Sequence, residues 1–340
     1  MFISKMILDG VTKGVKNAHT HVGFYPSSAS VEYKDADGNR KVDGACLRQQ
    51  FYSHCGVERT EPMSEDVILK LEFGNWAHEM LVEMVKRHGS YLGDEIRMFQ
   101  PGPPAISGRA DLFVADPKDN SPVGCEIKSV GGYYGVKATI KGTKAEPPRP
   151  KADHVLQCLP YLDFYGKYGL TRWILLYFDR DSCAMAEYVI MLDDDGSAII
   201  QGNDFVETHR HLNVKAVRAR WIELQNFIER GELPPRDYML QWSNKDILNK
   251  KANGELTKTD EKAVDAKLKS GKTDIPLLDK GDWRCAYCDW KTKCYSNNPF
   301  DGVDVIPLTR PAVLGASTLA NIKKKKSSPV VETLYAEEAF

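Results

Sequence analysis

No apolar run in this chain is long enough to cross a bilayer. The opening, Met1-Phe2-Ile3-Ser4-Lys5-Met6-Ile7-Leu8, is broken by Asp9 and Gly10 too soon for a secretory leader. A cytoplasmic, reducing setting is therefore expected, with no membrane partner. There the eight cysteines read as metal ligands or buried thiols rather than disulfides. Charge of one sign is also lacking, since the net charge is -1. That excludes a global basic field, so any nucleic-acid surface must be a local patch. What remains is an ordinary globular composition, 42% hydrophobic and 27% charged over 340 residues, enough to bury a large core.

The most informative stretch is 108–130. Gly108-Arg109-Ala110-Asp111-Leu112-Phe113-Val114 and Val123-Gly124-Cys125-Glu126-Ile127-Lys128-Ser129-Val130 are strand-like arms. Between them lies a turn dense in Asp, Pro, Asn and Ser, so a β-hairpin is expected. Side chains two apart in a strand share a face. Glu126 and Lys128 therefore point one way, and Cys125 and Ile127 point towards a core. With Asp111 on the paired arm, two carboxylates and an ammonium converge. Carboxylate oxygens suit a hard divalent cation, which can activate water at a phosphodiester. The same three charges would also be ordinary on a solvated hairpin.

Other patterns flank the hairpin. Ser64-Glu65-Asp66 opens a helix of 3.6-residue periodicity that Gly89 closes. It carries Gly74 one turn before His78, and a glycine there lets another segment approach closely. Downstream, a helix from His154 puts Gln157 and Tyr161 on one face, with Pro160 inside it. Near the end, Cys285, Cys288 and Cys294 stand in C-x2-C-x5-C spacing, which can converge on one metal centre. Zinc sites usually offer two tight pairs, whereas this chain offers a triplet and one distant cysteine, Cys46 or Cys55. Cys125, Cys158 and Cys183 read as core thiols.

Asp111 with Glu126-Ile127-Lys128, in the form D…ExK, resembles the signature of the PD-(D/E)xK nuclease superfamily. Gly108-Arg109-Ala110-Asp111 is similar to the G-x-x-D of its RecB-like exonuclease branch, which often lacks the proline of the superfamily name. Gly74…His78 resembles that branch's G-x-x-x-H, and Gln157…Tyr161 its Q-x-x-x-Y. Tyr25-Pro26-Ser27-Ser28, the Cys46–Tyr52 stretch and the cysteine triplet are similar to the iron–sulfur members, of CRISPR-associated or AddB-like type. These elements run in the family's order from about residue 25 to residue 295.

The resemblance implies an α/β, restriction-endonuclease-like core with a central mixed sheet flanked by helices. It also implies a helical iron–sulfur lobe made from both chain ends. One nuclease domain over 1–300 is expected, with a catalytic core near 64–200 and a clasp from about 46–55 and 283–295. The implied metal ligands are His78, Asp111, Glu126 and the carbonyl of Ile127, holding Mg²⁺ or Mn²⁺. Lys128 would position the attacking water or steady the phosphate, and Gln157 and Tyr161 would orient the substrate. Cys46, Cys285, Cys288 and Cys294 would hold a [4Fe–4S] cluster. The implied activity is exonucleolytic hydrolysis of single-stranded or frayed DNA ends, in recombination, repair or replication. Alternatives are an end-trimming nuclease of CRISPR adaptation and a non-catalytic subunit that binds DNA ends.

The remaining stretches are plainer. Residues 11–45 read as irregular, with His19 and His21 in a polar loop. Glu95–Phe99 reads as a short strand. Tyr133 and Tyr134, followed by Lys137, Lys141, Lys144, Arg149 and Lys151, could meet bases and phosphates. Residues 173–178 and 186–192 read as core strands, and 205–230 as a helix ending at Gly231. Residues 244–280 could be a helical insertion or a mobile loop. The extension 301–340 is expected to be partly disordered or to dock a helicase or another replication or recombination protein.

Overall fold

The computed structural model describes residues 3, 5–7, 23–61, 63–143, 146–271 and 275–295. His19, His21, Lys144 and the extension 301–340 lie outside the described residues. A hairpin of β1 (Ser30–Lys34) and β2 (Arg40–Gly44) leads to α1 (Leu47–His54) and the long α2 (Glu65–Lys86). Strands β3 (Tyr91–Gln100), β4 (Ile106–Ala115) and β5 (Pro122–Val130) follow. The chain then crosses through α3 (Tyr133–Val136), a π-helical turn at Lys137–Lys141 and α4 (Ala152–Gly166). It returns as β6 (Trp173–Asp179), β7 (Met185–Leu192), β8 (Ser197–Gln201) and β9 (Val206–Asn213), and continues into α5 (Val214–Arg230). Short helices α6 (Asn244–Ala252), α7 (Lys258–Lys269), α8 (Trp283–Ala286) and α9 (Lys291–Tyr295) complete the described chain.

Strands β3 to β9 form one mixed sheet in sequence order, antiparallel except between β5 and β6. Parallel neighbours need a long crossover, and the segment from α3 to α4 is that crossover. Strand β6, Trp-Ile-Leu-Leu-Tyr-Phe-Asp, is largely buried, as suits a central strand covered on both faces. On one face, α4 and α5 contribute Leu156, Leu159, Trp221 and Leu224 to a core with Trp173 and Tyr177. On the other, Leu81 and Val82 of α2 pack on Leu112, Cys125, Ile127 and Phe178. The fold is therefore α/β, a seven-stranded mixed sheet flanked by helices. No helix among the described residues is long and apolar enough to cross a membrane.

Three expectations need correction. Residues 205–230 are not one helix: Val206–Asn213 is strand β9, and α5 starts only where the Asn213 side chain accepts from Lys215 and Ala216. Its end at Gly231, in the left-handed region, is as expected. Residues 11–45 are not uniformly irregular, since 30–44 form the β1–β2 hairpin. Cys183 is no core thiol; it is exposed in the β6–β7 turn with φ 56°. Within the 244–280 stretch, Asn244–Ala252 and Lys258–Lys269 are helical, with a small core of Ile247, Leu256, Val264, Leu277 and Leu278.

The segment 47–61 meets Asp237 and the segment 289–290 in one lobe. Trp290 donates from its indole nitrogen to the Val57 carbonyl at 2.9 Å. The backbone N–H groups of Thr60 and Glu61 both donate to the Asp289 carbonyl at 2.9 Å. The Leu47 N–H at the start of α1 donates to the Asp237 carboxylate at 2.7 Å, and that carboxylate is also held by Arg40 and Arg220.

Candidate metal centre and thiol pocket

The 108–130 hairpin forms as expected, but its arms pair over a short length. Strands β4 and β5 are in register from Ala115↔Pro122 to Leu112↔Cys125 and then part. Asp111 is the first residue beyond the paired rungs. Its carboxylate bridges the parting by accepting the Ile127 N–H at 2.8 Å. The carboxylates therefore stand where the sheet opens, and backbone atoms of β5 become available to a ligand.

Glu126 and Lys128 share a face, as the two-residue period requires. Lys128 Nζ donates to Glu126 Oε1 at 2.7 Å and to Gln157 Oε1 at 2.8 Å. Gln157 Nε2 in turn donates to Glu126 Oε1 at 2.6 Å. One oxygen of Glu126 is thus satisfied twice. The other, Oε2, is buried without a hydrogen-bond partner, in a residue only 2% exposed. His78 Nε2 is likewise buried and unpartnered. Lone pairs left in this way are costly unless something electropositive meets them. One ligand atom each from His78, Glu95 and Asp111 lie within 4.8 Å of one another.

Electrostatics follow from burial. Desolvation pushes the Glu126 carboxyl up to about 7, against the attraction of Lys128. Asp111 is raised for the same reason, although the Ile127 N–H and Lys128 oppose the shift. Burial acts against the Lys128 ammonium, yet its contact with Glu126 outweighs that and raises its pKa. Two carboxyls and one ammonium in a dry cleft leave the site short of positive charge when both carboxyls ionise.

The G-x-x-x-H and G-x-x-D glycines have local causes. A Cβ on Gly74 would come within 3.3 Å of the Ser129 hydroxyl, so the glycine lets α2 approach β5 and deliver His78. A Cβ on Gly108 would meet the Tyr161 ring at 2.9 Å. Tyr161 itself is buried and stacked on Trp173, with ring centres 5.0 Å apart. Its hydroxyl accepts from the Arg109 N–H at 3.1 Å and donates to the Arg109 carbonyl at 2.8 Å. Tyr161 thus ties α4 to the strand that carries Asp111. Tyr161→Phe is expected to cost about 1–2 kcal/mol of stability. Urea unfolding checks this; a midpoint equal to the wild type's would mean that the two bonds to Arg109 contribute nothing net.

Glu95 was not legible as a site residue. Of the basic segment, Lys137 and Lys141 join Tyr133 around a pocket of about 450 Å³ beyond the ends of β5 and β6, with Asp179 and Asp181 on its wall. Arg149 turns away to pair with Glu207 at 2.7 Å.

Cys46, Cys285, Cys288 and Cys294 line one pocket in that lobe, together with Arg48, Arg236, Arg284 and Lys291. Cys46 caps the start of α1, whereas Cys55 caps its end, about 13 Å away along the axis. Cys55 is not among the lining residues. Burial raises the thiols of Cys46 and Cys285 to about 12 and that of Cys288 to about 11. Arg48, itself buried, reaches Cys294 Sγ at 3.7 Å.

No protein-family model matches this chain, and no curated protein matches it. Among solved structures, one described as the crystal structure of SSO0001 aligns over 86% of this chain and 96% of its own. Identity is 15% and the TM-score 0.40, a likeness too loose to carry an argument.

Proposed function

We propose that this chain is a Mg²⁺- or Mn²⁺-dependent DNA exonuclease of the PD-(D/E)xK type, with a lobe that holds a [4Fe–4S] cluster. The observation that carries the reading is the meeting of Asp111, Glu126, Lys128 and His78 where β4 and β5 part. The buried and unpartnered Glu126 Oε2 and His78 Nε2 are the donor atoms a divalent cation would meet. His78, Asp111, Glu126 and the Ile127 carbonyl are the proposed ligands. A divalent ion bound there supplies Lewis-acid activation of water and charge for the phosphorane. Gln157 bonds both Lys128 and Glu126, so the ammonium is held before substrate arrives. Lys128 then steadies the attacking water or a phosphate oxygen. The pocket around Tyr133, Lys137 and Lys141 offers an aromatic face and two cations to a single strand leaving the cleft.

The donor chemistry of the lobe fits an iron–sulfur cluster. Four thiols face one pocket rimmed by four cationic side chains, which suits an anionic cluster. Among the described residues, no three cysteine sulfurs lie within 4.8 Å of one another.

The test is cleavage of 5′- and 3′-labelled single- and double-stranded DNA with Mn²⁺ or Mg²⁺. Cleavage from single-stranded or frayed ends is expected, abolished by EDTA. His78→Ala is expected to raise the Mn²⁺ concentration needed for half-maximal rate by about tenfold or more. DNA binding without cleavage in either metal would instead mark a non-catalytic end-binding subunit.

A further inference from the structure

Glu95 sits under two local penalties. The flanking pairs Asp94↔Leu112 and Ile96↔Ala110 place it directly across from Asp111 on the neighbouring strand. Like charges facing each other across a ladder repel. Its backbone also lies in the left-handed region, φ 55°, which glutamate disfavours and glycine does not. The side chain is 38% exposed, so burial offsets these penalties only in part. Strain of this kind persists where something over-determines it, and functional sites are the usual place.

The strained backbone delivers the Glu95 carboxylate to within 4.8 Å of the nearest donor atoms of His78 and Asp111. A second observation points at a ligand in the same place: His78, one of these three residues, keeps its Nε2 buried without a hydrogen-bond partner, and the neighbouring Glu126, 2% exposed, does the same with its Oε2. Arg109, two residues before Asp111 on β4, forms an ion pair with Glu95 and is itself largely exposed. That guanidinium holds one of the two Glu95 oxygens, Oε2.

We propose that Glu95 is an additional carboxylate ligand of the divalent cation, and that Arg109 competes with the cation for it. The inference rests on the metal centre described above. Removing Glu95 takes away a donor, and removing Arg109 takes away a competitor, so the two substitutions act in opposite directions on metal affinity. A merely structural ion pair would make them act alike.

The experiment is a calorimetric Mn²⁺ titration of the full-length, anaerobically purified protein and four variants. Glu95→Gln is expected to raise the Mn²⁺ Kd by about tenfold or more, and Arg109→Gln to lower it several-fold. Glu95→Gly keeps the backbone conformation without strain, so it should melt in EDTA at or above the wild-type temperature while binding Mn²⁺ as weakly as Glu95→Gln. Wild-type Mn²⁺ affinity in both Glu95 variants, or weakened affinity in Arg109→Gln, overturns the proposal. Asp111→Asn is the reference. If the wild type binds no Mn²⁺, or Asp111→Asn binds it normally, the metal centre itself is refuted. If only the Glu95 and Arg109 results fail, the centre stands without them.

Discussion

Glu126→Gln is expected to abolish DNA cleavage and, in EDTA above about pH 7, to make the protein more stable than the wild type. The loss of activity follows from the site: an amide is a poor ligand for a hard cation, and Glu126 is both a proposed ligand and the partner of Lys128. The gain in stability follows from burial. Unfolded, a glutamate ionises near 4.5; in the fold it is pushed up to about 7. Between those values the native state keeps a proton that the unfolded chain releases. Protonation therefore supports the fold fully below about pH 4.5, and this support is lost as pH rises through about 7. At roughly 1.4 kcal/mol per pH unit, the native state at pH 8 carries a penalty on the order of 3 kcal/mol. The raised value already includes the attraction of Lys128, so a neutral isostere escapes the penalty rather than forfeiting a favourable pair.

Bound cation works in the same direction, because it stabilises only the folded state. Adding Mn²⁺ should raise the wild-type melting temperature more at pH 8 than at pH 5.5, and should leave Glu126→Gln almost unmoved. Melting curves from pH 5 to 9, with EDTA or Mn²⁺, give all four quantities. Coincident wild-type and Glu126→Gln curves across that range would remove the buried-carboxylate argument. Near-wild-type cleavage by Glu126→Gln would sink the nuclease reading. The raised stability of an inactive variant is the expected signature of a site built for function at the expense of the fold.

How much of this was legible depended on the distance over which the signal acts. The 108–130 hairpin and α2 declare themselves through local periodicity, and Gly74, His78, Gln157 and Tyr161 are set by helical spacing. Strand β9 was hidden because Val206-Glu-Thr-His-Arg-His has no apolar alternation. It pairs with β8 at the edge of the sheet, and both of its faces are largely polar. Glu95 was hidden more deeply. Its relation to Asp111 exists only in the β3–β4 register and in a backbone angle that its own sequence does not announce. The bonds of Tyr161 to Arg109 and its stacking on Trp173 are not in the sequence either, since the spacing of a helix tells which face a side chain takes but not what lies beyond it. The fourth thiol was ambiguous for a similar reason. Cys46 and Cys55 bracket the same helix, and only the packing of α1 decides which end meets the C-terminal triplet.

Cys285→Ser is expected to yield colourless protein with a melting temperature lower by on the order of 10 °C. Two physical causes add. The first is chain entropy: a cluster tying Cys46 to Cys285 closes a ring of roughly 240 residues, worth on the order of 5 kcal/mol on a disulfide-like estimate. The second is charge. Arg48, Arg236, Arg284 and Lys291 surround the thiols, and the unligated thiols are held neutral by burial, with Cys46 and Cys285 up at about 12. Without an anionic group in the pocket the lining cations lose a counter-charge, although Arg284 keeps its ion pair with Asp153 at 2.9 Å, and the buried Arg48 has little water to screen it. Added salt should therefore recover part of the lost stability in Cys285→Ser and little in the wild type. Cys46→Ser should behave as Cys285→Ser does, while Cys55→Ser, at the far end of α1, should stay brown. Cys183→Ser, exposed in a turn, should be indistinguishable from wild type. Iron and sulfide analysis of anaerobically purified protein checks the colour directly. Stoichiometric zinc without iron would overturn the cluster assignment, and a bleached Cys55→Ser beside a brown Cys46→Ser would overturn the ligand set. Neither result touches the carboxylates of β4 and β5, because the thiol pocket is lined by other residues than the proposed metal centre.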